Sequence, residues 1–324
     1  MTISKIKGLN EFLFDELIIN QPVKPTISDG FIVPGYWATL AAYAKHKNIT
    51  FDKLIFENPS HCSYSQAICL EKVLSNCDNY PYPRINSGAN YSQLVLLNSV
   101  DDTDKATNTI NNCIRHIFTN CNLPEFMHDL CNVVGDLHDN VWSHGKSTGF
   151  SMAQKWQDKS SCSYFFEFAL ADCGLGFLKE LQSSSIGKHI NTDKEAIEWC
   201  IIEGNSTKKC TNDDWKQSLP PDTIGSPMPN KIGKPKVSEN HHLGLGLAKL
   251  VKLVNNYNGF LWLASGNCTL HIRDGQHFYS DSPHWKGVAL ACRFNTQQAT
   301  QYKNNNTPDE AISSIEELMR YDYE

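Results

Sequence analysis

The sequence predicts a mixed α/β protein in which a smaller α/β unit precedes a larger one. Three observations predict it. The chain has 324 residues, enough for two ordinary domains with a core in each. Hydrophobic residues make up 40% and charged residues 20%, the balance of a globular chain rather than a disordered one. Short apolar runs of strand character are interleaved with segments whose apolar residues recur at helical spacing, and no internal repeat appears. On this reading residues 1–108 form the smaller unit, 109–297 the larger one, and 298–324 a linker and an acidic C-terminal helix.

In the smaller unit Leu54-Ile55-Phe56 reads as a short strand, Tyr64 to Leu74 as a helix, and Gln93 to Leu97 (QLVLL) as a second strand. Asp101 to Lys105, DDTDK, reads as a polar break before a helix through Ile110 and Ile114. Nothing here has catalytic spacing, so the expected role is recognition or dimerisation. In the larger unit a helix runs through PEFMHDLCNVVGDLHDNVWSH, because Leu130, Val133, Val134, Leu137 and Val141 share one face. Strands follow at Phe150 to Trp156 and Tyr164 to Ala171, then a helix at Lys194 to Ile202. A polar, Pro/Gly-rich segment, Gly204 to His242, leads to a helix at Leu247 to Asn256 and strands at Phe260 to Ala264 and Val288 to Phe294. QQATQYKNNN reads as a linker. Thr307-Pro308-Asp309-Glu310 then opens a last helix, with Thr as N-cap, Pro at the first helical position and Glu three residues after the cap.

Charge and cysteine usage narrow the function classes. A net charge of −6 argues against a nucleic-acid or membrane-surface partner held by bulk positive charge. The twelve cysteines are scattered, with no CxxC and no paired metal-ligand spacing, as expected of reduced thiols packed as small apolar residues. The N-terminal MTISKIKGLNEFLFDELIINQ has charges where a signal peptide needs an apolar run, and no stretch approaches the length of a transmembrane helix. A cytoplasmic location is the expectation.

Gly145-Lys146-Ser147-Thr148 looks like the end of a P-loop, but that motif needs a glycine where Asn140 stands and a strand where the helical face lies. The helix itself carries a row at i, i+4 and i+8: Asp136, Asn140 and His144. This row drifts along the border of the apolar stripe, where a carboxylate and an amide oxygen can hold a hard cation or order a water. An ordinary amphipathic helix with polar residues at its border is the plainer reading of this segment alone. Two glycine motifs change the balance. Ala171-Asp172-Cys173-Gly174-Leu175-Gly176 follows the apolar strand YFFEFAL, and Leu243-Gly244-Leu245-Gly246-Leu247 opens a helix. Either pair of glycines alone could be a turn. The three elements in this order are much more specific.

With these motifs, the stretch from Leu123 to Phe294 resembles the GHKL ATPase superfamily of gyrase B, heat-shock chaperones, mismatch-repair ATPases and histidine kinases. The three elements match its N-box, G1 box and G2 box, and the His-Gly after Asn140 is nearest to the anti-sigma-factor serine kinases. The resemblance implies a two-layer α/β sandwich, the Bergerat-type ATP-binding fold, with ATP and Mg²⁺ as cofactors. It implies that Asn140 coordinates the metal and that Asp136 is the general base, where the family usually has Glu. His144 would contact a phosphate or support the loop. Asp172 would accept from the adenine amino group, Gly174 and Gly176 would let the backbone approach the base, and Gly244, Leu245, Gly246 and Leu247 would face the phosphates. The segment from Gly204 to His242 matches the ATP lid, with Lys208 and Lys209 as candidates for the γ-phosphate. The expected function is an ATP-hydrolysing regulator whose nucleotide state controls a partner or effector protein, with a homodimer left open. A serine/threonine kinase of the anti-sigma type and a nucleotide-gated binding protein without turnover are the alternatives. A histidine kinase is disfavoured, because no long paired helices with a phosphoacceptor His precede the motifs.

Overall fold

The structure, a computed structural model, describes residues 5–15, 24–119, 121–141, 147–158, 163–184, 187–205 and 245–306. The chain opens with β1 (Ile6–Lys7), α1 (Leu9–Leu13), β2 (Thr26–Ile27) and β3 (Phe31–Ile32). Next come α2 (Pro34–His46), β4 (Ile55–Phe56), α3 (Pro59–Ala67) and α4 (Leu70–Ser75). Two short parallel pairs, β1 with β3 and β2 with β4, tie this part together. The helix expected over Tyr64 to Leu74 is divided in two, because Cys69 takes a left-handed φ of 69°.

The remainder comprises β5 (Val95–Leu97), α5 (Val100–Phe118), α6 (Pro124–Asn140), β6 (Gly149–Gln157) and β7 (Tyr164–Asp172). It continues with α7 (Phe177–Ser183), α8 (Asp193–Cys200), α9 (Leu245–Asn256), β8 (Phe260–Arg273), β9 (Gln276–Asn295) and α10 (Thr296–Asn306). The main sheet has five strands in the order β5-β6-β7-β9-β8, and every neighbouring pair is antiparallel.

Side chains alternate across a strand, so each strand has two sets of partners. Phe166, Phe168 and Leu170 of β7, with Leu290, Cys292 and Phe294 of β9, face α5, α6 and α9 in one apolar cluster. Ala169, Ala171, Ala289 and Ala291 face the other way, onto α1 and α2 with Phe12, Tyr36, Trp37 and Leu40. The small alanines let α2 lie close: a Cβ on Gly35 would stand 3.0 Å from that of Ala291. Helices therefore cover both faces of the sheet, where the sequence reading expected two layers and a preceding unit. The near-continuous apolar run FFEFALA is the pattern of a strand buried on both sides. Its one charged residue is paired: Glu167, fully buried, accepts from Arg293 Nε at 2.8 Å and from the Gly35 amide at 2.7 Å. The Arg293 guanidinium in turn lies over Trp156 on one side and Trp262 on the other.

Three further expectations are corrected. DDTDK is not a break but the first turn of α5, capped by Ser99, whose Oγ accepts the Asp102 amide at 3.2 Å. Aspartates are favourable there because they face the positive end of the helix dipole. QQATQYKNNN is α10 rather than a linker, since Asn295 Oδ1 accepts the Gln297 and Gln298 amides and Ala299 is buried. The last two strands run on far past Ala264 and back before Val288 as one long hairpin turning at Asp274-Gly275, both at positive φ. Residue 108, the sequence boundary between units, lies inside α5, and β5 forms the edge of the main sheet. The helix expected from Thr307 lies outside the described residues. No helix among the described residues is long and apolar enough to cross a membrane. Ten cysteines among them carry thiols, five of them buried.

Candidate functional site

The site is built along α6. Its apolar stripe, Leu130, Val133, Val134, Leu137 and Val141, is buried against the sheet and its neighbouring helices. That seating sinks one edge of the helix and leaves the next at the border of solvent. Asp136 is only 4% exposed, whereas Asn140 is half-buried.

At Asp136 the helix meets α9. A Cβ on Gly246 would stand 2.8 Å from the Asp136 Cβ, too close for any side chain without a shift. Glycine is thus what lets the first turn of α9 rest on α6. One turn further along α9, Lys249 Nζ donates to Asp136 Oδ2 at 2.9 Å. Leu247 is buried in the core beneath this contact, and Leu245 is the first residue of the helix. Gly244 and His144 lie outside the described residues, as do Lys146 and the segment 206–244 that includes Lys208 and Lys209.

One turn beyond Asp136, the C-terminal end of α6 meets the sheet. A Cβ on Gly149 would overlap Val141 Cγ1 at 2.6 Å, so Val141, the residue after Asn140, sits directly on Gly149. Gly149 is the register partner of Asp172 across β6 and β7. Through these two steps the Asn140 end of α6 comes to the strand end that carries Asp172.

Asp172 is 5% exposed. Burial lifts its carboxyl from 3.8 to about 6, and hydrogen bonds from the Gly174 amide, Ser147 and the Val288 backbone oppose part of that rise. Oδ1 accepts from Gly174 N at 2.7 Å and from Ser147 Oγ at 3.2 Å. A carboxylate has about four acceptor positions, so these three donors leave capacity for one more. The turn after Asp172 is fixed from below. Gly176 takes φ 75°, and a Cβ there would stand 3.0 Å from Ser265 Oγ. That hydroxyl accepts the Phe177 amide and donates to Gly287 O. Gly287, at φ 102°, lies against Asp172 so closely that a Cβ would fall 2.7 Å from Oδ1.

The structure thus sets Gly246 against Asp136, Val141 beside Asn140 against Gly149, and Gly149 in register with Asp172, whose turn through Gly174 and Gly176 rests on Ser265 and Gly287. Sequence reasoning missed Gly149, Ser147, Ser265, Gly287, Lys249 and His138. The sequence shows Ser147 only as part of the P-loop-like Gly145-Lys146-Ser147-Thr148, and Gly287 only as the residue before the run read as a strand from Val288. His138 is fully buried, with its ring nitrogens 2.9 Å from Thr107 Oγ1 and 2.9 Å from Ser151 Oγ. Burial depresses it to about 3, so it is neutral and ties α5, α6 and β6 together. It sits on the apolar face at helical spacing from Val134 and Val141, which is the mark of a core histidine.

Magnesium at phosphate sites takes few protein oxygens, usually carboxylates, and Asn140 offers one half-buried amide oxygen. Among the described residues no three His, Cys, Asp or Glu side chains form a protein-only metal cage. No family model matches the chain, and neither a curated protein nor a solved structure matches it.

Proposed function

We propose that this protein is a magnesium-dependent ATP-binding and hydrolysing regulator of the GHKL type, whose nucleotide state controls a partner protein. The observation that carries the reading is the convergence on α6: Gly246 packs on Asp136, and Val141, beside Asn140, packs on the residue paired with Asp172. Three segments distant in the chain are linked through these contacts, which is the support for a single nucleotide and its metal bound among them.

In this reading Asp172 accepts from the adenine amino group, a task suited to a carboxylate already oriented by three hydrogen bonds. Gly176 serves the turn rather than the base, since the place of its missing Cβ is taken by Ser265 Oγ and the Gly287 backbone. The amides at the start of α9 face the phosphates, and Asn140 holds the metal, which supplies charge neutralisation at the phosphate oxygens. Asp136 takes the proton of the attacking water. Aspartate is one methylene shorter than the glutamate usual at this position, so turnover is expected to be slow.

The test is incubation of the purified protein with γ-labelled ATP and magnesium. Released phosphate supports the reading. Label on a second protein converts it to a kinase, tight binding without release to a nucleotide-gated switch, and absence of ATP binding ends it.

A further inference from the structure

The contact between Asp136 and Lys249 is asymmetric. The carboxylate side chain is 6% exposed, whereas the lysine side chain is 44% exposed. The ammonium therefore reaches down from solvent onto a buried acid, rather than being buried with it. It does so from the first turns of α9, three residues after the glycine that touches the same aspartate. A lysine stem is flexible and its ammonium is a mobile point charge, so a second anion placed nearby competes with the buried carboxylate for it.

We propose that Lys249 is the γ-phosphate contact of the site, and that its ion pair with Asp136 is the resting position of that contact. The inference rests on the nucleotide-binding reading and adds regulation to it. Without a third phosphate the ammonium stays on Asp136 and occupies the oxygen that would act as base. With ATP bound it moves to the γ-phosphate, and Asp136 is turned over to the attacking water. The water oxygen then bonds to the γ-phosphorus, the bond from that phosphorus to the β,γ-bridging oxygen breaks, and its electron pair leaves with ADP. The water proton passes to Asp136. One lysine thereby links recognition of the third phosphate to activation of the base, and ADP leaves the pair closed.

The experiment measures ATP and ADP affinities by calorimetry in magnesium for the wild type, Lys249→Met, Lys249→Arg, Asp136→Asn and the double variant Asp136→Asn with Lys249→Met. Loss of a charge-assisted phosphate contact should weaken ATP by about tenfold or more in Lys249→Met, with ADP changed by less than about twofold. Lys249→Arg should recover most of the loss. Asp136→Asn should tighten ATP by several fold, because the ammonium no longer has to leave a carboxylate, and the gain should vanish in the double variant. Thermal melts identify any variant that has simply unfolded, and Lys249→Arg then carries the test. Equal losses for ATP and ADP in Lys249→Met, or an Asp136→Asn gain that persists in the double variant, would overturn the proposal and leave nucleotide binding standing. Wild-type protein that binds neither nucleotide overturns both.

Discussion

Asp172→Asn should separate function from stability at one atom. Burial holds the native carboxyl at about 6 against an ordinary 3.8. At 1.36 kcal/mol for each pKa unit, the ionised form costs the folded state roughly 3 kcal/mol at neutral pH. The sign follows from proton counts. Between pH 3.8 and 6 the native state holds a proton that the unfolded chain has lost, so this group's contribution to stability falls as pH rises and levels off above 6. An amide mimics the protonated carboxyl and does not titrate. Urea unfolding of wild type and Asp172→Asn at pH 4 and pH 7.5 should therefore give near-equal stabilities at pH 4. At pH 7.5 the variant should be favoured by up to about 3 kcal/mol, or about 5 °C in Tm. On the proposed function the same variant should lose ATP affinity by about tenfold or more, since the oxygen assigned to the adenine amino group would no longer carry charge. A variant less stable than wild type at pH 7.5, or one whose advantage is as large at pH 4, would refute the claim that desolvation governs this carboxyl.

Asn140→Ala should abolish the magnesium-dependent part of ATP binding in a titration with and without the metal, whereas Lys146→Ala should change it little. A loss confined to Lys146→Ala would restore the P-loop interpretation. Gly246→Ala places a Cβ 2.8 Å from that of Asp136, so α9 must shift. Overpacking of this kind costs roughly 1–3 kcal/mol, and Tm and ATP affinity should fall together. His138, held neutral at about 3, contributes stability that is fully present above pH 6.5 and is lost as pH falls, because the unfolded chain takes up the proton first. Between pH 7 and pH 4 wild type should lose about 3 kcal/mol more than His138→Gln in urea titrations. Parallel pH profiles for the two proteins would refute the assignment.

The sequence exposed local signals well and distant partners poorly. The apolar period of α6 and the strand runs of β6 and β7 are local, so their positions follow from neighbouring residues alone. DDTDK and QQATQYKNNN misled for a related reason: their polar composition suggests loop, yet Ser99 and Asn295 cap helices that start beside them. The hairpin beyond Ala264 was hidden by polar residues on its exposed side, although Asp274-Gly275 is a recognised hairpin turn. Lys249 could not be read at all as a site residue, because its meaning depends on Asp136, 113 positions away.

The glycines of the site carry a different kind of information. Gly246 and Gly149 stand where α6 is approached, once by a helix and once by a strand, and at each a methyl group would overlap a named side chain. These two contacts add to the seating of α6, which its buried apolar stripe and His138 also hold. Both contacts fall in the last turns of α6, where Asp136 and Asn140 lie one turn apart, the spacing that the proposed function needs of an acid and an amide. The motif glycines found in the sequence are thus half of a packing scheme. Its other half, Gly149, Ser265 and Gly287, became visible only with the sheet that brings them under the same turn.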